Sequence, residues 1–504
     1  MLNSLVFEND IIIYWDRVKN SPAACRYRVV CGEKVRITSK THCKFSELEA
    51  DASYVFTLEV LGKNDKVEHT LGSLELKTAK SRKRIDVTKA PYYAVGDGKT
   101  LNTKALQRAI DDCAYGETVY IPAGVFLSGA LNLHDDMELY LEKGAVLQGS
   151  KKAEDYLPKR PSRFEGIEML CYSALLNMGE TQAFGGYNCK NVVIRGGGTV
   201  RGGGGELRLD VINIERARLM EEEPAYLEKI KACETVDTMP GRYRPRLINV
   251  SNSQNVIIEG ISIENGPAWN LHILYSDNVI TANCTFHSVN IPNGDGYDPD
   301  SSTNCTIFNC DFYTSDDSIA IKSGKNPDGN IVNRPCKNIK IFDCHSEMGH
   351  GCSIGSEMSG GVDGVYIWDC DFEKSIFGFT VKTTKKRGGY VKNLFINNCV
   401  APRIMVRTVG YNDDGESAKD VPILDNFIFE DLILSGKYWL DETHSQTCPV
   451  ISLTGFDESG HELTNVVFRN IYIQVHKNNT PQNFELNYMS GITFENISII
   501  EEKR

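Results

Sequence analysis

The sequence predicts an all-β protein, a right-handed parallel β-helix preceded by a small antiparallel β-sandwich. Three observations carry the prediction. Before residue 80, apolar and polar residues alternate in short, regularly spaced runs, the period-2 pattern of half-buried strands. After residue 190, a strand-like unit recurs as "NVVIRG", "NVIIEGI", "NVITANC", "NCTIFNC", "NIKIFDC", "GVYIWDC", "NLFINNC", "NFIFEDL", "NVVFRNI" and "GITFENI". Most unit starts lie 23 to 39 residues apart, which suits coils that stack at the ~4.8 Å strand separation. Finally, Cys284, Cys310, Cys344, Cys370 and Cys399 each stand six residues after a unit start, where other units carry Ile261, Leu432, Ile471 and Ile497. A position shared by Cys, Ile and Leu reads as an interior stack, because a free thiol packs as a small hydrophobe.

The elements follow in order. In the first domain, residues 1–80, the runs "DIIIYWD", "CRYRVVC", "KVRIT", "SYVFTLEVLG" and "LGSLELKT" supply the strands. Trp15, Tyr27, Val29, Leu48, Tyr54 and Phe56 are the expected core. "TAKSRKRID" is a polar, basic linker. The second domain, residues 81–504, opens with "NTKALQRAIDDCA", which places Ala105, Leu106, Ala109, Ile110 and Cys113 on one helical face. Asn102 or Thr103 is the candidate N-cap, and the helix would plug the open edge of the first coil. "GGGTVRGGGG" superficially resembles a nucleotide loop, but no helix pattern follows it directly, so tight turns between coils are expected.

Composition narrows the function. The chain has 504 residues, 41% hydrophobic and 24% charged, as in soluble globular proteins. No run of about 18 uncharged apolar residues marks a membrane span. The start lacks a basic n-region and a small-residue cleavage site, so a cytoplasmic location is expected, or secretion if a leader has been removed. Sixteen cysteines without a CxxC pair point to reduced thiols. A net charge of −12 argues against nucleic acid as a partner, though a local basic patch can still attract an anionic substrate.

Chemistry is concentrated in "NGDGYDPDSS" and "SDDS". Asp295 and Asp316 are 21 residues apart, close to one short coil, so the two would lie one above the other. Asp317 can share their cleft only if the chain bends at Ser315–Asp317. His350 follows Asp316 by 34 residues, and Lys382 follows His350 by 32. Successive coils thus offer Asp, Asp-Asp, His and Lys along one wall. Such a set suits glycoside hydrolysis, in which one carboxylic acid protonates the leaving oxygen and another carboxylate activates water. Crowding raises at least one carboxyl pKa and keeps a proton available. Lys322, Lys382, Lys385, Lys386 and Arg387 form the basic patch that an acidic sugar needs. Asp298 and Asp300 are equally open to a turn role, accepting backbone amides. The carboxylates alone also leave calcium ligation open.

Asn293-Gly294-Asp295-Gly296-Tyr297-Asp298, Ser315-Asp316-Asp317 and Gly349-His350-Gly351 together resemble glycoside hydrolase family 28, the polygalacturonases, over roughly residues 85 to 500. "GPAWNLH", with Trp269, and "DGKTLNTKALQRAIDDC" are similar to further segments of that family. The resemblance, closest to bacterial exo-acting members, implies an inverting hydrolase of α-linked galacturonate without metal or other cofactor, acting on pectic oligosaccharides. It implies Asp316 as general acid, Asp295 and Asp317 as holders of the water, and His350 as support for the acid. Asn293, Lys322, Lys382, Arg387, Asp298 and Trp269 would bind substrate, with Lys382 gripping its carboxylate. One departure stands out. The family pattern has Arg two residues before that Lys, and this chain has Thr380. Arg387, Arg403 or Arg407 would have to reach in instead, or the sugar is another pectic one, such as a rhamnogalacturonan unit. A calcium-dependent lyase on the same scaffold and a non-catalytic carbohydrate-binding β-helix are the competing classes. Residues 206–246, 324–337 and 408–422 are long enough to wall off one end of a groove, which favours cleavage from chain ends. The first domain resembles a fibronectin type III domain, in the order Trp15, Tyr27-x-Val29, Leu48-x-Ala50 and Tyr54-x-Phe56.

Overall fold

The computed structural model describes all residues except 1, 19–24, 232, 412–413, 441–442, 476–483 and 502–504. The chain divides into two compact units, Met1–Arg84 and Ile85–Arg504. In the first, Leu2–Val6, Ile11–Trp15 and His42–Phe45 form one antiparallel sheet. Lys34–Thr38, Arg26–Cys31, Ser53–Leu61 and Val67–Lys77 form a second. Trp15, Tyr27, Val29, Leu48 and Phe56 are buried in one core, and Tyr54 packs against its rim only partly covered.

The second unit is a stack of coils carrying three long parallel sheets. The repeating unit Asn-x-x-Ile-x-Asn-Cys has a local cause. Asn278, Asn304, Asn338 and Asn393 begin units with φ between +53° and +60°, and Asn pays little for the left-handed region. Asn283, Asn309, Asp343, Asp369 and Asn398, just before the cysteines, adopt the same conformation. Each strand is therefore bracketed by two turns, and the turn amides join successive coils, as between Asn309 Nδ2 and Asn283 Oδ1 at 2.6 Å. Between the turns, Val279, Ile307, Ile339, Val365 and Leu394 point into the shared core. The five ladder cysteines are free and buried there, and burial raises the thiol pKa of Cys310, Cys344, Cys370 and Cys399. The helix Thr103–Asp111 buries Leu106, Ala109 and Ile110 in the same core.

One element departs from the sequence expectation. The glycine-rich run leads directly into a helix, Gly204–Glu222. Its buried face, Leu207, Val211, Ile212, Glu215 and Leu219, is hard to see because Leu209, Ile214 and Met220 lie exposed on the other side. The glycines serve close packing. A Cβ on Gly202 would stand 2.4 Å from the Asn265 carbonyl oxygen, and one on Gly203 2.3 Å from that of Ser150. Among the described residues no helix is long and apolar enough to cross a membrane.

Candidate active site

The site lies on the sheet containing Leu271–Leu274, Tyr297–Asp300, Ile319–Ile321, Cys352–Ile354, Phe379–Thr383 and Ile404–Thr408. Leu271 pairs with Tyr297, Tyr297 with Ile319, Ile319 with Cys352, and Cys352 with Phe379. Two residues before each, Trp269, Asp295, Asp317, His350 and Phe377 therefore form one column on five coils. All five line a cavity of about 490 Å³. A second column stands at the strand exits. Lys382 pairs directly with Arg407, and the pairing of Ile354 with Val381 and Ile321 sets Gly355 between Lys382 and Lys322. This glycine is required, since a Cβ there would lie 2.2 Å from the Lys382 carbonyl oxygen.

The register corrects one expectation. Asp295 stacks on Asp317, and Asp316 lies one position earlier, in line with Gly294 and Gly349. The chain bends at Ser315 and Asp316, so both acids still face the cavity. Gly349 and Gly351 have φ of +119° and +88°. A side chain on Gly349 would strike Thr314 Oγ1 at 2.4 Å, so the flanking glycines let a tight turn present His350.

Charges are paired across the columns. Lys322 Nζ lies 3.1 Å from Asp295 Oδ2 and 3.3 Å from Asp298 Oδ1, and 4.6 Å above the Trp269 ring. Lys382 Nζ lies 2.6 Å from Asp317 Oδ2, and Ser353 donates to Asp317 Oδ1 at 2.8 Å. His350 Nδ1 is 3.1 Å from Asp316 Oδ1 and 3.6 Å from Asp317 Oδ1. These contacts separate the three acids. Burial pushes Asp295 up to about 7, helped by the charges of Asp316 and Asp317 and opposed by Lys322. Burial acts on Asp317 too, but Lys382 and His350 overcome it and hold the carboxyl well below its ordinary range. Asp316 is also lowered against burial, by its hydrogen bond to His350. The same pair raises His350 to about 10, although burial opposes this. Asp295 Oδ1 is buried with no hydrogen-bond partner, whereas both Asp317 oxygens are engaged. Asp316 keeps a side-chain exposure of 27% into the cavity.

Asn293 also lines the cavity. Two predicted ligands do not. Asp298 is fully buried behind Lys322. Arg387 is fully buried as well, donating to the Ser356 carbonyl at 2.8 Å and to Asn326 Oδ1 at 2.6 Å, so it braces the scaffold. Lys385 pairs with Glu458, and neither it nor Lys386 lines the cavity. The basic stretch 382–387 thus contributes Lys382 alone. Residues 206–246 supply Arg208, Ile212, Glu234, Thr235, Asp237, Thr238 and Arg244 to the wall, and 408–422 supplies Tyr411, but 324–337 contributes none. Arg244 was missed in the sequence. It donates to Asn293 Oδ1 at 2.7 Å and to the Pro292 carbonyl at 2.9 Å, and the dense "RYRPR" run was its signal. Glu165, Glu357 and Phe377 line the cavity too, without a motif to announce them. Donor atoms of Asp316, Asp317 and His350 lie within 4.8 Å of one another. The Lys382 ammonium and a charged His350 already neutralise that group, and a cation would have to displace them.

Comparisons with known proteins give the chain its relatives. Residues 115–419 match the family model described as Glycosyl hydrolases family 28. An exo-poly-alpha-D-galacturonosidase of Dickeya chrysanthemi is 26% identical over 476 residues, covering 90% of this chain and 78% of its own. A probable polygalacturonase of Vitis vinifera is 30% identical over 361 residues, covering 68% and 67%. In structure, the family 28 exopolygalacturonase of Yersinia enterocolitica superposes with a TM-score of 0.82 at 20% identity, over 99% of this chain and 96% of that one.

Proposed function

The chain belongs to family 28 of the glycosyl hydrolases, and from that premise we propose that it removes α-linked galacturonic acid from the ends of pectic oligo- or polysaccharides with inversion. It is a glycoside hydrolase. Asp316, exposed to the cavity and paired with His350, is the acid, and the pair carries the proton that the leaving oxygen takes as the glycosidic bond breaks. A water held at the cavity face of Asp295 attacks the anomeric carbon from the opposite face and gives its proton to that carboxylate. Asp317, ionised by Lys382, stabilises the positive charge that develops on the sugar. Trp269, stacked on Phe164 with Lys322 above its ring, and Phe377, under Arg407, bound the row of reacting groups.

The observation that carries the end-wise reading is the wall. Seven cavity-lining residues come from positions 208–244, and Arg244 anchors that segment beside the Asp295 coil. A polymer threading past the first coil of the site would meet it. Product analysis on defined oligogalacturonides tests both parts. Single terminal sugars should accumulate from the first turnover, and proton NMR should show the inverted anomer first. A ladder of intermediate lengths would remove the end-wise reading, and a retained anomer the mechanism. An unsaturated product that vanishes with EDTA would mean elimination instead. The N-terminal unit is read as fibronectin type III-like, supported by its three- and four-stranded antiparallel sheets around Trp15 and Tyr27.

A further inference from the structure

The exit column holds three cations, and two of them are already spent inside the protein. Lys322 faces Asp295 and Asp298, and Lys382 faces Asp317. The third is Arg407, directly opposite Lys382 on the next coil. It lines the cavity, and among the described residues no carboxylate lies within salt-bridge distance of it. Its Nε is buried without a hydrogen-bond partner. Its guanidinium carbon sits 4.4 Å from the centre of the Phe377 ring, a cation–π contact that holds the group at the cavity wall. Thr380 cannot share the task. It is 4% exposed, does not line the cavity, and lies two residues back along the strand from Lys382.

We infer that Arg407 is the specificity-determining residue that takes the carboxylate of the substrate's second sugar, so that the clamp this chain lacks at Thr380 is supplied from the following coil. The inference rests on the galacturonate reading above. The direction is argued from the wall, which sets seven residues of 208–244 around the cavity, with Arg244 beside the Asp295 coil, whereas the 408–422 loop after Arg407 adds only Tyr411 among the described residues. A terminal sugar held at the wall puts the next residue, the leaving group, towards Arg407. Two N–H groups of a guanidinium match the two oxygens of a carboxylate, and a methyl ester removes both the charge and one acceptor geometry.

The test uses the full chain and two oligogalacturonides of equal length, one with free carboxylates and one methyl-esterified. Wild type should prefer the acid. Arg407→Gln should lower kcat/KM on the acid by at least about tenfold, mainly through KM, and on the ester by much less, since one lost charge-assisted contact of 1.4 kcal/mol is a factor of ten. Arg407→Lys should recover part of the loss, because it keeps the charge without the fork. Thermal melting of both variants checks the fold. Preference for the acid undiminished in Arg407→Gln, or equal loss on both substrates in a variant that melts like wild type, would overturn the assignment. If Arg407→Gln melts early, Arg407→Lys decides alone, and an acid preference equal to wild type would overturn it. Failure of wild type to hydrolyse either oligosaccharide would instead overturn the galacturonate reading.

Discussion

At the residue scale, three carboxylates within one cavity are given three different jobs by their neighbours. Asp295 was legible in the sequence as part of the cluster, but its separate behaviour was not. It depends on Lys322, which stands on the next coil, and on an oxygen left without a donor. Because Asp295 must be ionised to accept a proton, kcat/KM should rise with pH through its value of about 7 and fall as His350 loses its proton near 10. Lys322→Met removes the charge that favours the Asp295 carboxylate, so its rising limb should move to higher pH, and an unmoved limb would take Asp295 out of the base role. Asp316→Asn should lower kcat by at least ~10²-fold, the usual worth of a general acid, with the melting temperature little changed. Near-wild-type turnover in that variant would transfer the proton to another group. Arg387 shows the opposite limit. A basic run beside a motif reads as a ligand patch, and only packing reveals that this guanidinium is bonded to Ser356 and Asn326.

At the element scale, coils were readable because each repeats its own turn chemistry, an αL asparagine before the strand and an Asn or Asp before the inward cysteine. Insertions were not readable, because they do not repeat and their partners lie far away in sequence. Arg242 pairs with Glu165 at 2.8 Å and with Asp414 at 2.9 Å, and Lys325 also holds Asp414. Asn326 Nδ2 donates to the Glu416 carbonyl at 2.8 Å. One clasp thus ties the 408–422 loop, with Tyr411, to the 206–246 wall and to the hairpin of Arg160–Phe164 and Ile167–Cys171. Asp414→Ala leaves Arg242 and Lys325 facing each other without a shared anion. Arg242 keeps Glu165, so the cost falls on the buried Lys325 and stays below the roughly 3–5 kcal/mol of a fully buried pair, because Asp414 is 23% exposed. The loop should therefore loosen, which would appear as faster local hydrogen exchange and as a rise in internal cleavage products relative to terminal ones. Unchanged exchange together with an unchanged product pattern would show that the wall stands without the clasp.

At the scale of the whole molecule, stability should follow a few buried groups more closely than the net charge of −12. Asp300 is fully buried against Arg163 at 2.6 Å and His272 at 3.3 Å. Burial alone would raise it, but these partners lower it from 3.8 to about 2, so its contribution is complete above 3.8 and is lost as pH falls through about 2. His272 is lowered by burial from 6.5 to about 4, and its contribution likewise disappears as pH falls across that range. His350 runs the other way. Raised from 6.5 to about 10, it stabilises fully below 6.5 and ceases to do so as pH climbs through about 10. Asp295, raised from 3.8 to about 7, contributes fully below 3.8 and loses that contribution as pH rises to about 7, so over this range it offsets the gain from His272. The melting temperature should therefore be nearly level between about pH 4 and 6.5, fall below that range with Asp300 and fall above it with His350. The two limbs have different owners, and this separates them. His350→Gln removes the titrating group from the cavity without touching Asp300 or His272, so it should flatten the decline between pH 6.5 and 10, and it should shallow the acid limb only by the part that Asp316 and Asp317 owe to His350. Melting curves across pH 3 to 10 for both proteins decide the matter. If the variant keeps the full alkaline decline, the charged His350–Asp316–Asp317 cluster is not what holds the folded site together in that range.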